Sequence, residues 1–285
     1  MEGRLRREQV RDAFKRRDHE EAVRLLRLQD PDVLHRYEAD LLYYSICNGW
    51  LDVTRNLITN YHFDPLSKYN GRSYLFIAAR GNHVDIINYL IKVCQVPGSY
   101  YDLSDVLHYV AEEGSLDVLK YVVKYLIEEC NCNIMTRHQS GNTVLHDAAS
   151  KGSLDVLKYL INTHHCNLMI TNNSGQTILH RAVKHIDVVK YLVIECNCNV
   201  MATDTDKWTP LHYAVGWGTA EVVEYLLSTG NCDPLAKDKK GTTPLQLANK
   251  YNDTILAIFK KFGNIKISHP IDSYVNVLLV EMSKE

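Results

Sequence analysis

The chain has 285 residues, 46% of them hydrophobic and 23% charged, the composition of an ordinary globular protein. Its 32 basic and 34 acidic side chains leave a formal net charge of -2, so no overall field draws it to nucleic acid or to an anionic membrane. The apolar run Val275 to Val280 is far too short to span a bilayer, the N-terminus lacks the apolar core of a signal peptide, and the eight cysteines read as reduced thiols, so no membrane insertion and a cytoplasmic location are expected.

Taken in chain order, the sequence repeats itself. With the Leu of Val-Leu-His as anchor, equivalent positions are Leu42, Leu75, Leu107, Leu145, Leu179, Leu211 and Leu245, and a weaker match begins at Val10. The spacings are 33, 32, 38, 34, 32 and 34 residues. Each unit predicts two short helices. The first should end seven residues after its anchor, where Gly49, Asn82, Gly114, Gly152, Gly218 and Asn252 stand. Glycine, and next best asparagine, tolerates the left-handed backbone that follows a helix, so all six are expected in it. In the second helix Leu154, Leu157, Leu160 and Ile161 form one apolar stripe, with Asp155 and Lys158 turned to water. Ser115, Ser153 and Thr219 stand where an N-cap is wanted. The phrase Lys120 to Ile127 is doubled, and its four extra residues should lengthen a helix by about one turn. The unit anchored at Leu179 is two residues short, a loss we assign to the turn between its helices. Polar tips such as RHQSGNT, TNNSGQT and KDKKGTT separate the units and suit short hairpin fingers.

The period, together with Thr209-Pro210-Leu211-His212-Tyr213-Ala214, resembles the ankyrin-repeat family. Thr143-Val144-Leu145-His146-Asp147-Ala148 is a decayed copy, and Thr243 to Ala248 a third with Gln246 in place of His. The resemblance implies an all-α ankyrin-repeat solenoid of stacked helix-turn-helix units with hairpin fingers and a concave binding face. It implies about seven repeats over residues 38–263, after a degenerate N-terminal capping repeat at residues 1–37 and before a tail at residues 264–285. It also implies a protein partner, with no catalysis, no cofactor, no metal and no small-molecule substrate. One such unit cannot bury its own apolar faces, but a neighbour on each side can.

His108, His146, His180 and His212 recur with the repeat, beside Cys132, Cys166, Cys198 and Cys232. Equivalent positions in stacked helices lie about 8–10 Å apart. A single zinc needs its sulfurs at about 2.3 Å, and a disulfide needs Cα atoms within about 7 Å. The cysteines are therefore read as small, nearly apolar fillers. The resemblance gives the histidines a structural task, hydrogen bonding between neighbouring turns. His164-His165 reads as a solvated helix end. Tyr89, Tyr121, Tyr159, Tyr191 and Tyr225 hold one helix position and read as packing between units.

If the first helices line a concave face, the expected partner-binding residues on it are Tyr109, Glu113, Asp147, Lys151, Arg181, Tyr213 and Trp217. Arg137, His138 and Lys207 join them from the fingers. Tyr, Trp and Arg are the usual anchors of interfaces, and Trp217, in a Gly-Trp-Gly turn with no evident need for a large ring, leads the set. Trp208 is expected to pack. Lys207 replaces the finger glycine, a departure that bears on that turn's geometry. Ser273 to Val280 looks like the first strand of a P-loop GTPase, but Glu281 to Glu285 follow where the glycine-rich loop would stand. The alternative is therefore an ankyrin arm of a larger signalling or GTPase-containing protein, here without its nucleotide-binding loop.

Overall fold

The computed structural model describes residues 2–29, 34–93, 100–128, 133–251 and 253–263. They fall into two compact units, residues 1–110 with 115–134, and residues 111–114 with 135–285. Each is a stack of helix pairs, the all-α repeat architecture.

In the first unit α1 (Glu2–Lys15) turns back into α2 (His19–Leu26), whose N-cap Asp18 accepts the Glu21 amide at 3.1 Å. A short 3-10 turn, His35–Tyr37, leads to α3 (Glu38–Cys47) and α4 (Leu51–Thr59). A minimal antiparallel finger follows, β1 (Lys68–Tyr69) against β2 (Arg72–Ser73), with Lys68 opposite Ser73. Then come α5 (Tyr74–Arg80), α6 (Val84–Asn88) with a π-turn over Tyr89–Val93, α7 (Tyr100–Glu113) and α8 (Leu116–Glu128). The doubled phrase does lengthen α8, which keeps one buried face of Val118, Leu119, Val122, Val123 and Leu126.

The second unit runs α9 (Val144–Lys151), α10 (Leu154–His164), α11 (Ile178–Arg181), α12 (Ile186–Lys190) with a π-turn over Tyr191–Glu195, α13 (Pro210–Trp217), α14 (Ala220–Ser228), α15 (Pro244–Tyr251) and α16 (Asp253–Gly263). Tyr191 and Tyr225, at the shared position, pack against the preceding repeat. Lys158 lies 5.4 Å from the Tyr191 ring centre and Lys190 5.9 Å from that of Tyr225, and Tyr191 Oη donates to Asn162.

Two expectations need correction. Gly49, Asn82, Gly114 and Gly152 do adopt left-handed backbone, with φ of 74°, 59°, 75° and 79°. Gly218 does not: its φ is -85° and its ψ -159°. Glycine is required there by crowding, because a Cβ would sit 2.7 Å from Ala214 Cα, Ala214 O and Val183 O. Asn252 and the tail Ser273 to Val280 lie outside the described residues. The two-residue deletion, for its part, falls in a helix and not in the turn. Helix α9 has 8 residues and α11 only 4. With no left-handed residue to close a second turn, α11 ends at Arg181, and His185 N–H bonds back to Ala182 O at 2.8 Å. The His185 ring then donates to Ser150 O at 3.0 Å, fastening the shortened repeat to the one before it.

The fingers also keep their form where the sequence departs. Gly141, Gly175 and Gly241 take φ of 77°, 76° and 81°, and Lys207 takes 62° at the same place. Left-handed backbone costs a non-glycine residue about 1–2 kcal/mol, of which glycine's extra unfolded-state freedom returns part. We expect Lys207→Gly to stabilise the protein by about 0.5–1 kcal/mol, read as a higher urea midpoint at unchanged slope. A lower midpoint would contradict this.

Candidate functional site

Three histidines set the frame. Thr143, Thr177 and Thr209 are N-caps, and the histidine three residues on completes a capping box in place of the usual glutamate. The Thr209 amide donates to His212 Nδ1 at 3.1 Å, as the Thr143 amide does to His146 at 3.3 Å and the Thr177 amide to His180 at 3.1 Å. Nδ1 is therefore the bare nitrogen and Nε2 carries the proton. Each Nε2 points to a carbonyl of the next finger: His146 to Gln176 O at 3.0 Å, His180 to Trp208 O at 3.0 Å and His212 to Thr242 O at 3.3 Å. Burial holds all three imidazoles below their usual pKa.

The fingers they hold are built alike. Asn172 Oδ1 accepts the Ser174 and Gln176 amides, Asp204 Oδ1 those of Asp206 and Trp208, and Asp238 Oδ1 those of Lys240 and Thr242. Burial pushes the Asp238 carboxyl upward, but the amides of Thr242 and Lys240 and the Trp208 indole outweigh it and hold the group below the usual carboxylate range. Adjacent fingers are stitched by backbone, Thr205 N–H to Ser174 O at 2.9 Å and Lys239 N–H to Asp206 O at 3.0 Å.

On this frame sits an aromatic cluster. Trp208 and Trp217 stack at 5.3 Å and 28°. Tyr213 lies 5.3 Å from Trp217 and 5.5 Å from Trp208. Polar ends are tied down: Trp208 Nε1 donates to Asp238 at 3.0 Å, Tyr213 Oη donates to Asp204 at 2.7 Å and accepts from Gln176 Nε2 at 2.7 Å. Burial, with the Asp204 carboxylate beside it, pushes the Tyr213 phenol up to about 12. Trp217 has no such tie and is 58% exposed. Tyr213 and Trp217 form a ridge between two hollows. One, of about 720 Å³, is walled by Trp208, Asp206, Lys239, Lys240 and Leu247. The other, of about 370 Å³, is walled by Ser150, Gln176, Arg181 and Lys184.

Of the residues expected to bind, Arg181, Tyr213 and Trp217 meet on this groove. Lys151 is paired with Glu112 at 2.8 Å, and Glu113 is exposed nearby in sequence. Asp147 accepts from Asn142 at 3.3 Å and lies 3.5 Å from His138. Arg137 donates to Gly141 O and Thr171 O at 2.9 and 2.8 Å, bracing two fingers. Lys207 is an exposed turn residue that walls neither hollow. Tyr109 belongs to the first unit, its ring 4.9 Å from that of Phe76. Sequence reasoning missed Gln176, Asp204 and Asp238. The last two share one finger position, a regularity that alignment of the tips would have exposed. Trp208 packs as expected and also walls the groove.

A family model described as Ankyrin repeats (3 copies) matches residues 12–105, 107–204 and 186–269, most of the chain. The chain belongs to the ankyrin-repeat family. No curated protein matches it. Ankyrin repeats are in general protein–protein interaction modules. Three of the four ladder cysteines suit the filler reading: burial pushes Cys166 and Cys198 up to about 11 and Cys232 up to about 12, which favours the thiol over the thiolate, while Cys132 lies outside the described residues. No helix among the described residues is long and apolar enough to cross a membrane.

Proposed function

We propose that this ankyrin protein is a non-catalytic, cytoplasmic scaffold that holds a partner protein on the groove of its second unit, with Trp217 as the central anchor and Tyr213, Arg181 and the finger tips around it. The observation that carries the reading is the exposure of Trp217. A tryptophan stacked at 5.3 Å on a second one, held rigid from below and 58% open above, is a preorganised apolar contact of the kind that dominates interface energies. The polar rim of Asp206, Lys239 and Lys240 fits the same picture.

Trp217→Ala is the clean probe. Tyr213→Ala would also strip the Asp204 finger of its hydroxyl partner, whereas the Trp217 indole makes no hydrogen bond. Truncating an interface anchor costs about 2 kcal/mol or more, roughly thirtyfold in affinity. Proteins captured from a lysate by the wild-type chain should be lost by the Trp217→Ala chain at unchanged circular dichroism. Equal capture by both would move the binding surface elsewhere.

A further inference from the structure

The smaller hollow has a charge imbalance that nothing else in the unit corrects. Arg181 leaves the short helix α11 and spends one hydrogen bond, Nη2 to Ser150 Oγ at 3.2 Å. Its Nε is buried and has no acceptor. No carboxylate lies within ion-pair distance of Arg181 or Lys184 among the described residues, and no carboxylate walls the hollow they line. Three lysines of this unit do have carboxylate partners: Lys151 has Glu112, Lys239 has Asp206, and Lys261 has Glu224. A half-buried guanidinium without a counter-charge is costly, and a planar carboxylate is the group its fork matches.

We infer that this hollow is the receptor for an acidic side chain, Asp or Glu, of an extended partner segment whose neighbouring aromatic or aliphatic residue lies on Trp217. The inference rests on the groove reading above and names the chemistry of its occupant. Arg181 takes the carboxylate, Lys184 adds attraction from the rim, and the Tyr213–Trp217 ridge takes the apolar neighbour. The second hollow, across the ridge, carries Asp204, Asp206 and Asp238 together with Lys239 and Lys240, whereas the hollow at Arg181 has cations and no acid, so the partner's carboxylate is drawn to the Arg181 side.

The test uses the full chain and a phage-displayed library of random twelve-residue peptides, selected in parallel on the wild-type, Arg181→Gln and Trp217→Ala proteins. Expected on wild type is enrichment of Asp or Glu next to an aromatic or aliphatic residue. The best such peptide, synthesised with a fluorescent label, should bind Arg181→Gln at least tenfold more weakly. Arg181→Lys should fall between the two, and replacing the peptide's acid by its amide should cost as much as Arg181→Gln does. Circular dichroism checks that each variant is folded. Enriched peptides without acids, or binding indifferent to Arg181, would overturn the acidic-residue inference. If such peptides still need Trp217, the groove reading stands alone, and if they need neither residue, both fall. A selection that enriches nothing overturns the inference as well. A phosphoserine version bound tenfold better than the Glu version would also overturn it, making the hollow a phosphate receptor.

Discussion

Gly218→Ala should destabilise the second unit by about 3 kcal/mol or more, the upper end of what overpacking does. The added methyl would stand 2.7 Å from Ala214 Cα, Ala214 O and Val183 O, all main-chain atoms with no rotamer to yield. Relief has to come from unwinding the end of α13 at Ala214 and from parting it from the turn that carries Val183. The Gly218 amide also closes α13 on Ala214 O at 2.9 Å, so that bond is strained first. Gly230→Ala is the control. Its φ is +68° and nothing lies within 4 Å of the added carbon, so only the left-handed penalty of about 1–2 kcal/mol applies. Urea unfolding of the two variants separates the mechanisms. Equal losses would mean that backbone conformation and not crowding fixes the glycine at 218. The deletion after Leu179 bears on one of these contacts: it shortens α11 and puts Val183 in the turn, and Val183 O is the one atom of the three that comes from the preceding repeat.

The architecture was legible because it rests on periodicity and on end-of-helix chemistry, both local. The anchor leucines predicted the helix pairs, and Thr219, read as an N-cap, accepts the Val222 amide at 3.3 Å. Ser153, read the same way, makes no side-chain cap bond, and the Thr-x-x-His capping boxes were not read. The site was legible in part. Trp217, Tyr213 and Arg181 could be read because composition marks interface anchors. The hydrogen-bond chain from Asn172 through Gln176 and Tyr213 to Asp204 could not, since it joins residues about one repeat apart whose side-chain directions depend on the finger turns. For the same reason Asp147, Lys151 and Arg137 were read as open to a partner although His138, Glu112 and the finger carbonyls hold them. Gly218 was read through a rule about helix ends, when the space for a side chain is taken by Ala214 of its own helix and by a carbonyl from the preceding repeat.

Acidification below pH 6.5 should unfold this array, and the histidine relay is the reason. His146, His180 and His212 are buried as neutral rings, each with Nδ1 accepting a cap amide, so their folded pKa values lie below the ordinary 6.5. In the unfolded chain they take up protons near 6.5. The stability these rings contribute is therefore complete above pH 6.5 and is lost as the pH falls from there toward the folded values. The loss by pH 5.5 is about 1 kcal/mol for each ring that stays neutral in the fold. The chain itself supplies the control residue. Gln246 stands where four other repeats have His, and its Oε1 accepts the Thr243 amide at 3.0 Å. His212→Gln should accordingly keep the cap, cost less than His212→Ala, and flatten the pH dependence by roughly one ring's share. His212→Ala leaves the Thr209 amide without a partner and the Thr242 carbonyl with only the Asp238 amide, opens a cavity in a buried site, and should cost about 3 kcal/mol at pH 7.5. Thermal midpoints of the three proteins between pH 7.5 and 5.5 decide it. A wild-type midpoint that holds steady or rises over that range, or a triple Gln variant with the wild-type slope, would remove the relay as the source of acid sensitivity.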